Sequence, residues 1–233
     1  MSDHLTTDRP FFFVHIMKTA GMTFNAHIAN NFARDAVYPG EDDTTGVDYW
    51  VINNLRAATA RPRPDIRLWH GHFPFFVTEF VPDAITLAVM REPVARTVSL
   101  LNQQRVQNHP DRTIEELYDD ALINQRMVGE HQTRMFAMSN SDGINAWTQP
   151  FAVDDAAFEL AKQRVGSVDL LGFQEDFDGF LAALHDRWNW RIDRLDDRNT
   201  ATEAIEIDDA FRARIVADNP YDMALYEFAR ALG

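Results

Sequence analysis

Apolar positions along the chain fall into short unbroken runs, separated by longer stretches with helical spacing. Phe11-Phe12-Phe13-Val14-His15-Ile16-Met17 is a run of aromatic and β-branched residues. Such a run predicts a strand buried on both faces, as in parallel sheets. Ile66-Arg67-Leu68-Trp69-His70 predicts a second strand, Ile85-Thr86-Leu87-Ala88-Val89-Met90 a third, and Val168 to Phe173 a fourth. Between them, Lys18 to Gly21 reads as a tight turn, Met22 to about Ala36 as a helix, and Asp48 to Ala60 as another. Pro93 opens a helix at its first position, where a missing N–H costs nothing. Thr113 and Glu116 have the spacing of a capping box, and a helix-rich stretch follows to about Met138. Ser139 to Pro150 reads as a loop, and Asp208 and the Asn219-Pro220 pair each cap a C-terminal helix, the last ending at Gly233.

Strands that alternate with helices define an α/β protein with a central, mainly parallel sheet flanked by helices. Ligands in such sheets sit beyond the carboxyl ends of the strands. With 233 residues, no repeat and no low-complexity tract, the expectation is a single domain over 1–233. Arg56 to Arg67 holds four arginines and two prolines and reads as a helix end running into a solvated basic loop.

Composition narrows the chemistry. The chain has no cysteine, which removes disulfide scaffolds, zinc–thiolate sites and thiol nucleophiles. Lys and Arg total 22 against 36 Asp and Glu, a formal charge of -14. That balance argues against nucleic acid or an anionic membrane as partner, because such binding is driven by Lys and Arg contacts. No apolar run approaches the roughly 18–20 residues that span a bilayer. The opening MSDHLTTDRP carries acids and no apolar segment, unlike a signal peptide. A soluble, cytoplasmic protein is the expectation.

Three strand ends carry candidate chemistry. Lys18-Thr19-Ala20-Gly21-Met22-Thr23 runs from the first strand through a turn into a helix. Backbone N–H groups there, the helix N-terminus, the lysine charge and the threonine hydroxyls suit a phosphate or sulfate. A strand-to-helix turn with a solvated lysine has the same pattern, and the Walker A order is absent. Arg91 leaves the third strand at the ligand edge, with Ser99 eight residues on and on the same helix face as Arg96. Arginine's planar fork matches a terminal phosphate, or it caps carbonyls at the sheet edge. In Trp69-His70-Gly71-His72, His70 and His72 share a face if the segment is extended. An imidazole there could act as a base, bind a metal or pack in the core, but no third ligand lies at convincing spacing. His15 reads as a core histidine, and His109, His131 and His185 have no motif around them.

HIMKTAGMT resembles the 5′-phosphosulfate loop of the sulfotransferases that use 3′-phosphoadenosine 5′-phosphosulfate (PAPS), and VMREPVARTVSLL resembles their 3′-phosphate element. The likeness includes WHGHFPF and GFQEDFDGFLAAL, covers most of the chain in order, and leans toward the carbohydrate branch related to heparan sulfate 2-O-sulfotransferases. It departs from the family at Met17, where proline is common, and at Met22, where a hydroxyl residue is common. The resemblance implies a P-loop nucleotide-kinase-like sulfotransferase fold, with Lys18, Thr19, Ala20, Gly21, Met22 and Thr23 around the sulfate and 5′-phosphate. Arg91 and Ser99 would then hold the 3′-phosphate. His72 would be the base and His70 a helper, with PAPS as donor, no metal, and a carbohydrate or small-molecule hydroxyl as acceptor. Asn199 to Thr202 resembles, by position, a late loop that closes over the nucleotide, which makes Arg194, Arg198 and Thr200 contacts there; a polar surface turn reads equally well. Asp222 and Tyr226 recur in the family's last helix and read as packing. A P-loop kinase-like phosphotransferase and a non-catalytic nucleotide- or glycan-binding protein remain as alternatives.

Overall fold

A computed structural model describes residues 4–40, 51–139, 151–192 and 205–232. Among these residues, five strands form one sheet: β1 (Phe11–Val14), β2 (Val37–Tyr38), β3 (Leu68–Gly71), β4 (Ile85–Met90) and β5 (Leu170–Phe173). Their order is β2-β3-β1-β4-β5 and every pairing is parallel. The chain leaves β1 toward β2, returns through β3, then crosses to the far side of β1 to lay down β4. That reversal beside β1 is the topological switch point where α/β sheets open a crevice for ligands.

The helices are α1 (Gly21–Asn31), α2 (Ile52–Thr59), α3 (Pro93–Asn108), α4 (Ile114–Tyr118), α5 (Ala121–Ile123), α6 (His131–Ala137), α7 (Asp155–Gly166), α8 (Phe177–Trp188), α9 (Asp209–Asp218) and α10 (Pro220–Arg230). Alternation in the strands sorts the core into two layers. Phe11, Phe13, Leu68, Leu87 and Val89 pack under α1 and α8, joined by Trp190. Phe12, Val14, Trp69, Ala88 and Met90 pack under α2, α6, α7 and α10. A third cluster joins α3 to α4 and α9 through Leu101, Leu117 and Phe211. β4 and β5 are further tied by Thr86, whose N–H and hydroxyl both donate to one Asp169 oxygen at 2.8 Å.

The third strand and the Thr113–Glu116 capping box fall where the pattern puts them. Other boundaries move. β1 stops at Val14, where the Ile16 N–H turns back onto the Val14 carbonyl. α1 stops at Asn31 rather than Ala36, because the Asn31 amide donates to the His27 and Arg191 carbonyls and the chain goes extended at Phe32. β2, two residues long, lies just past the stretch that periodicity assigns to helix, where no element is expected. Asp208 caps α9 as expected, but Asn219 does not cap α10 with its side chain. Its amide oxygen accepts from Glu130 N–H, and the Glu130 carboxylate caps α10 instead, accepting from Tyr221 and Asp222 N–H at 3.0 and 2.6 Å. No helix among the described residues is long and apolar enough to cross a membrane.

Candidate active site

Four neighbouring strands deliver their next residues to one edge: His15 to Gly21 after β1, His72 after β3, Arg91 after β4 and Glu175 after β5. The β1–α1 turn is unusual in its backbone. Lys18 and Ala20 both take left-handed conformations, at φ 69° and 71°. Such a conformation costs a non-glycine residue about 1–2 kcal/mol. Alternation of hand along a turn points successive N–H groups toward one side, the geometry of an anion-binding nest. α1 then begins with no side-chain cap and no acid in its first turn. A helix start leaves up to four N–H groups without intrahelical partners, so this one presents positive potential.

Gly21 is required for a reason other than its φ. A β-carbon there would lie 1.6 Å from Nε2 of His15, so the imidazole occupies the space a side chain would need. The His15 ring stacks on Phe13 at 5.4 Å and meets the His72 ring at 4.1 Å between centroids. Rather than a satisfied core residue, His15 is the piece that joins the turn to His72. Both residues are partly exposed as a whole, although their rings are packed closely enough that burial dominates their titration.

His72 has a defined tautomer. Its Nδ1 lies 2.8 Å from the carbonyl oxygen of His15. A carbonyl only accepts, so Nδ1 carries the proton and Nε2 of the neutral ring carries the lone pair. Burial pushes the His72 pKa down to about 4, against the opposing pull of that hydrogen bond. His70 is also pushed down to about 4 by burial and then by His72, and it is only 4% exposed. His15 lies well below the ordinary imidazole range through burial, His72 and His70. All three rings are therefore neutral near pH 7. Among the described residues, no three His, Asp or Glu side chains are grouped to hold a metal.

Lys18 and Arg91 meet. Arg91 Nη1 donates to the Lys18 carbonyl at 3.1 Å. Burial lowers the Lys18 pKa, and the Arg91 charge lowers it further. Arg91 is likewise lowered by burial, with Glu175 and Glu92 opposing. Its Nε is buried and makes no hydrogen bond among the described residues. Two half-buried cations side by side, one with an unused donor, fit an anion that touches both.

The threonines divide. Thr19 is fully buried and its hydroxyl donates to the Ile16 carbonyl at 2.9 Å, so it locks the turn from inside and offers no hydroxyl outward. Thr23 is partly exposed in the first turn of α1, and Met22 lies beside it. Ser99 is partly exposed on α3, while its neighbour Arg96 is fully buried and donates to the Met127 and Val128 carbonyls. His131, which no motif marks, is buried close enough to Arg96, Arg134 and His72 for their charges to help lower its pKa, after burial itself. Arg194, Arg198 and Thr200 lie outside the described residues. Of the basic stretch, Arg63 pairs with Asp65 at 2.9 Å, Arg67 reaches the Thr7 carbonyl at 2.5 Å, and Arg56 lies over the Phe80 ring.

The fold is similar to that of a sulfotransferase from Alicyclobacillus acidocaldarius, known from a crystal structure, with a TM-score of 0.50 over 94% of each chain at 14% identity. The likeness is to the sulfotransferase fold and does not reach the heparan sulfate 2-O branch. No family model matches the sequence, and no curated protein matches it.

Proposed function

We propose that the chain is a sulfotransferase that moves the sulfuryl group of PAPS to a hydroxyl of a carbohydrate or small-molecule acceptor. One observation carries this reading: the Arg91 guanidinium sits on the Lys18 carbonyl, which brings the β1–α1 turn and the β4–α3 turn close enough that a single ligand with two anionic ends would touch both. The uncapped start of α1 and Lys18 would hold the phosphosulfate end. Arg91, through its unused Nε, would hold the 3′-phosphate with Ser99.

In the transfer, Nε2 of His72 takes the proton of the acceptor hydroxyl as the oxygen bonds to sulfur. The bond from sulfur to the bridging oxygen breaks, and adenosine 3′,5′-bisphosphate leaves. Charge builds on that bridging oxygen, and Lys18 stands to neutralise it. One such preorganised donor is typically worth about 3–4 kcal/mol. A ring that is neutral in the free protein needs no prior deprotonation, and an anionic sulfuryl group beside it raises its basicity. The Lys18–Arg91 repulsion that exists without ligand is relieved when the anion binds. An uncharged acceptor suits a protein of charge -14 whose Arg63 and Arg67 are already engaged.

The deciding experiment compares thermal shifts with adenosine 3′,5′-bisphosphate and with ATP, followed by transfer assays in chelator on neutral sugars and on a heparan-type polyanion. Bisphosphate at 100 times its Kd should add about 2.7 kcal/mol of stability. Stabilisation by ATP and not by the bisphosphate overturns the donor assignment, and nucleotide binding without sulfate transfer overturns the catalytic one.

A further inference from the structure

The turn that carries Arg91 is held by more contacts than a strand-to-helix turn requires. The Gln132 side chain is fully buried and binds the Arg91 backbone twice: its oxygen accepts from Arg91 N–H at 3.1 Å and its amide donates to the Arg91 carbonyl at 2.8 Å. The pattern imitates one more rung of sheet beyond Met90, the last residue of β4. On the next residue, Glu92 N–H donates to one Glu175 oxygen at 2.8 Å. Both clamps lead to one helix. Asp222 of α10 accepts from Gln132 N–H at 3.2 Å, from Thr133 N–H at 2.7 Å and from the Thr133 hydroxyl at 2.8 Å. Tyr226 of α10 donates its hydroxyl to the second Glu175 oxygen at 3.1 Å. Asp222 and Tyr226 are four residues apart, hence one above the other on the same helix face.

The two anchors differ in how they are held. Asp222 is 1% exposed, its carboxylate lies near Arg96, and it serves as the N-terminal cap that α6 does not get from its own residues. Glu130, at the start of α6, caps α10 in return, so the two helices are fixed end to end by crossed carboxylates. Tyr226 is set by ring packing, edge-on to Phe173 at 5.6 Å, which leaves its hydroxyl for Glu175. Packing alone would be served by an apolar residue at either place, since an unneeded buried carboxylate or hydroxyl lowers stability.

We infer that α10 is a positioning element for the nucleotide site, with Asp222 acting on Arg91 through Gln132, and Tyr226 acting on the adjoining residue through Glu175. Both are positioning residues that touch no ligand. The inference rests on the proposed role of Arg91 toward a 3′-phosphate. The backbone clamps keep the guanidinium over Lys18, and their loss lets it wander from that pose.

Calorimetry on the full chain tests this with two probes, adenosine 3′,5′-bisphosphate and adenosine 5′-monophosphate. The monophosphate Kd divided by the bisphosphate Kd isolates the 3′-phosphate. Tyr226→Phe and Asp222→Asn should each lower that ratio about three- to tenfold, the worth of one buried hydrogen bond. Leu225→Val, in the same helix and fully buried, should lower the melting temperature and leave the ratio unchanged. Tyr226→Phe keeps the ring and serves if Asp222→Asn does not fold. A wild-type preference that survives in Tyr226→Phe, or that falls equally in Leu225→Val, overturns the inference alone. A wild-type ratio of one overturns the reading of Arg91 and the inference with it.

Discussion

Two strand-to-helix turns lie side by side at the carboxyl ends of β1 and β4, and they start their helices in opposite ways. α3 is capped by its own chain: the Glu92 carboxylate accepts from Val94 and Ala95 N–H at 3.1 and 2.7 Å, and Pro93 fills the first position. Its positive end is already answered. α1 has neither cap nor acid, and two of the four residues before it, Lys18 and Ala20, are held in a left-handed conformation. On the proposed reading, the strained turn is the one whose backbone would meet the anion, while the relaxed, doubly clamped turn would contribute only a side chain. Strain of this kind persists where surrounding structure over-determines it, here through the Thr19 hydroxyl below and the His15 ring above.

The contrast makes the two turns separable by mutation. Lys18→Ala should lower kcat for sulfate transfer by about a hundred- to thousandfold with little change in bisphosphate Kd. Arg91→Ala should do the reverse, weakening bisphosphate binding by roughly ten- to hundredfold for lost charged hydrogen bonds. Steady-state kinetics beside calorimetry gives both numbers, and equal effects on kcat and Kd from the two variants would erase the distinction. Gly21→Ala is next in size. Its β-carbon must displace the His15 ring, at about 1–3 kcal/mol of overpacking. The displaced ring pushes on His72, so denaturation and turnover should both suffer; a variant as stable and active as wild type would show that the His15 contact is not tight.

The histidines give a smaller, pH-dependent effect. His70 and His72 titrate near 4 in the folded chain and near 6.5 when unfolded. Stability is complete above about pH 6.5 and is lost as pH falls from there toward 4, because only the unfolded chain takes up those protons. Glu130 runs the other way: its pKa is raised to about 7, mostly by burial and then by Asp222, so its contribution fades as pH rises from about 4.5 to 7. Asp222 is raised by burial too, while His15 and His131 are lowered, so four imidazoles outweigh two carboxyls and melting temperature should drop between pH 7 and 5. A flat or rising melting temperature over that range would contradict the burial of these rings. The mildest test is Ala20→Gly. Relief of the left-handed conformation, about 1–2 kcal/mol, exceeds the entropy cost of glycine, about 0.5–1 kcal/mol. The variant should gain up to about 1 kcal/mol in a denaturant melt and still bind nucleotide.

Local pattern was enough for elements whose own residues decide them. β4 is buried along its whole length and apolar at every position but Thr86, and the capping box of α4 is a four-residue code. β2 left no such trace, because two residues carry no period and its place comes from pairing with Leu68 and Trp69, some thirty positions on. The site divides the same way. Lys18, Arg91 and His72 stand out by type and by their place at strand ends. His15 did not, since alternation correctly puts it on the Phe13 side but says nothing of the His72 ring, 57 residues away in sequence. Local pattern makes Thr19 a donor to ligand, yet only the folded turn shows its hydroxyl bound to Ile16. Asp222 and Tyr226 read as packing because their partners lie on α6 and after β5.

The last of the described strands arrives late. β1, β3 and β4, which deliver His15, His72 and Arg91, are all made by residue 90, whereas β5 begins at residue 170. At about 5–20 residues per second, a ribosome leaves the outer edge of β4 bare for roughly 4–16 s. During that interval Thr86 offers Asp169's hydrogen bonds to any passing strand. Until β5 docks, that edge is an unpaired row of backbone groups of the kind that invites pairing with another strand.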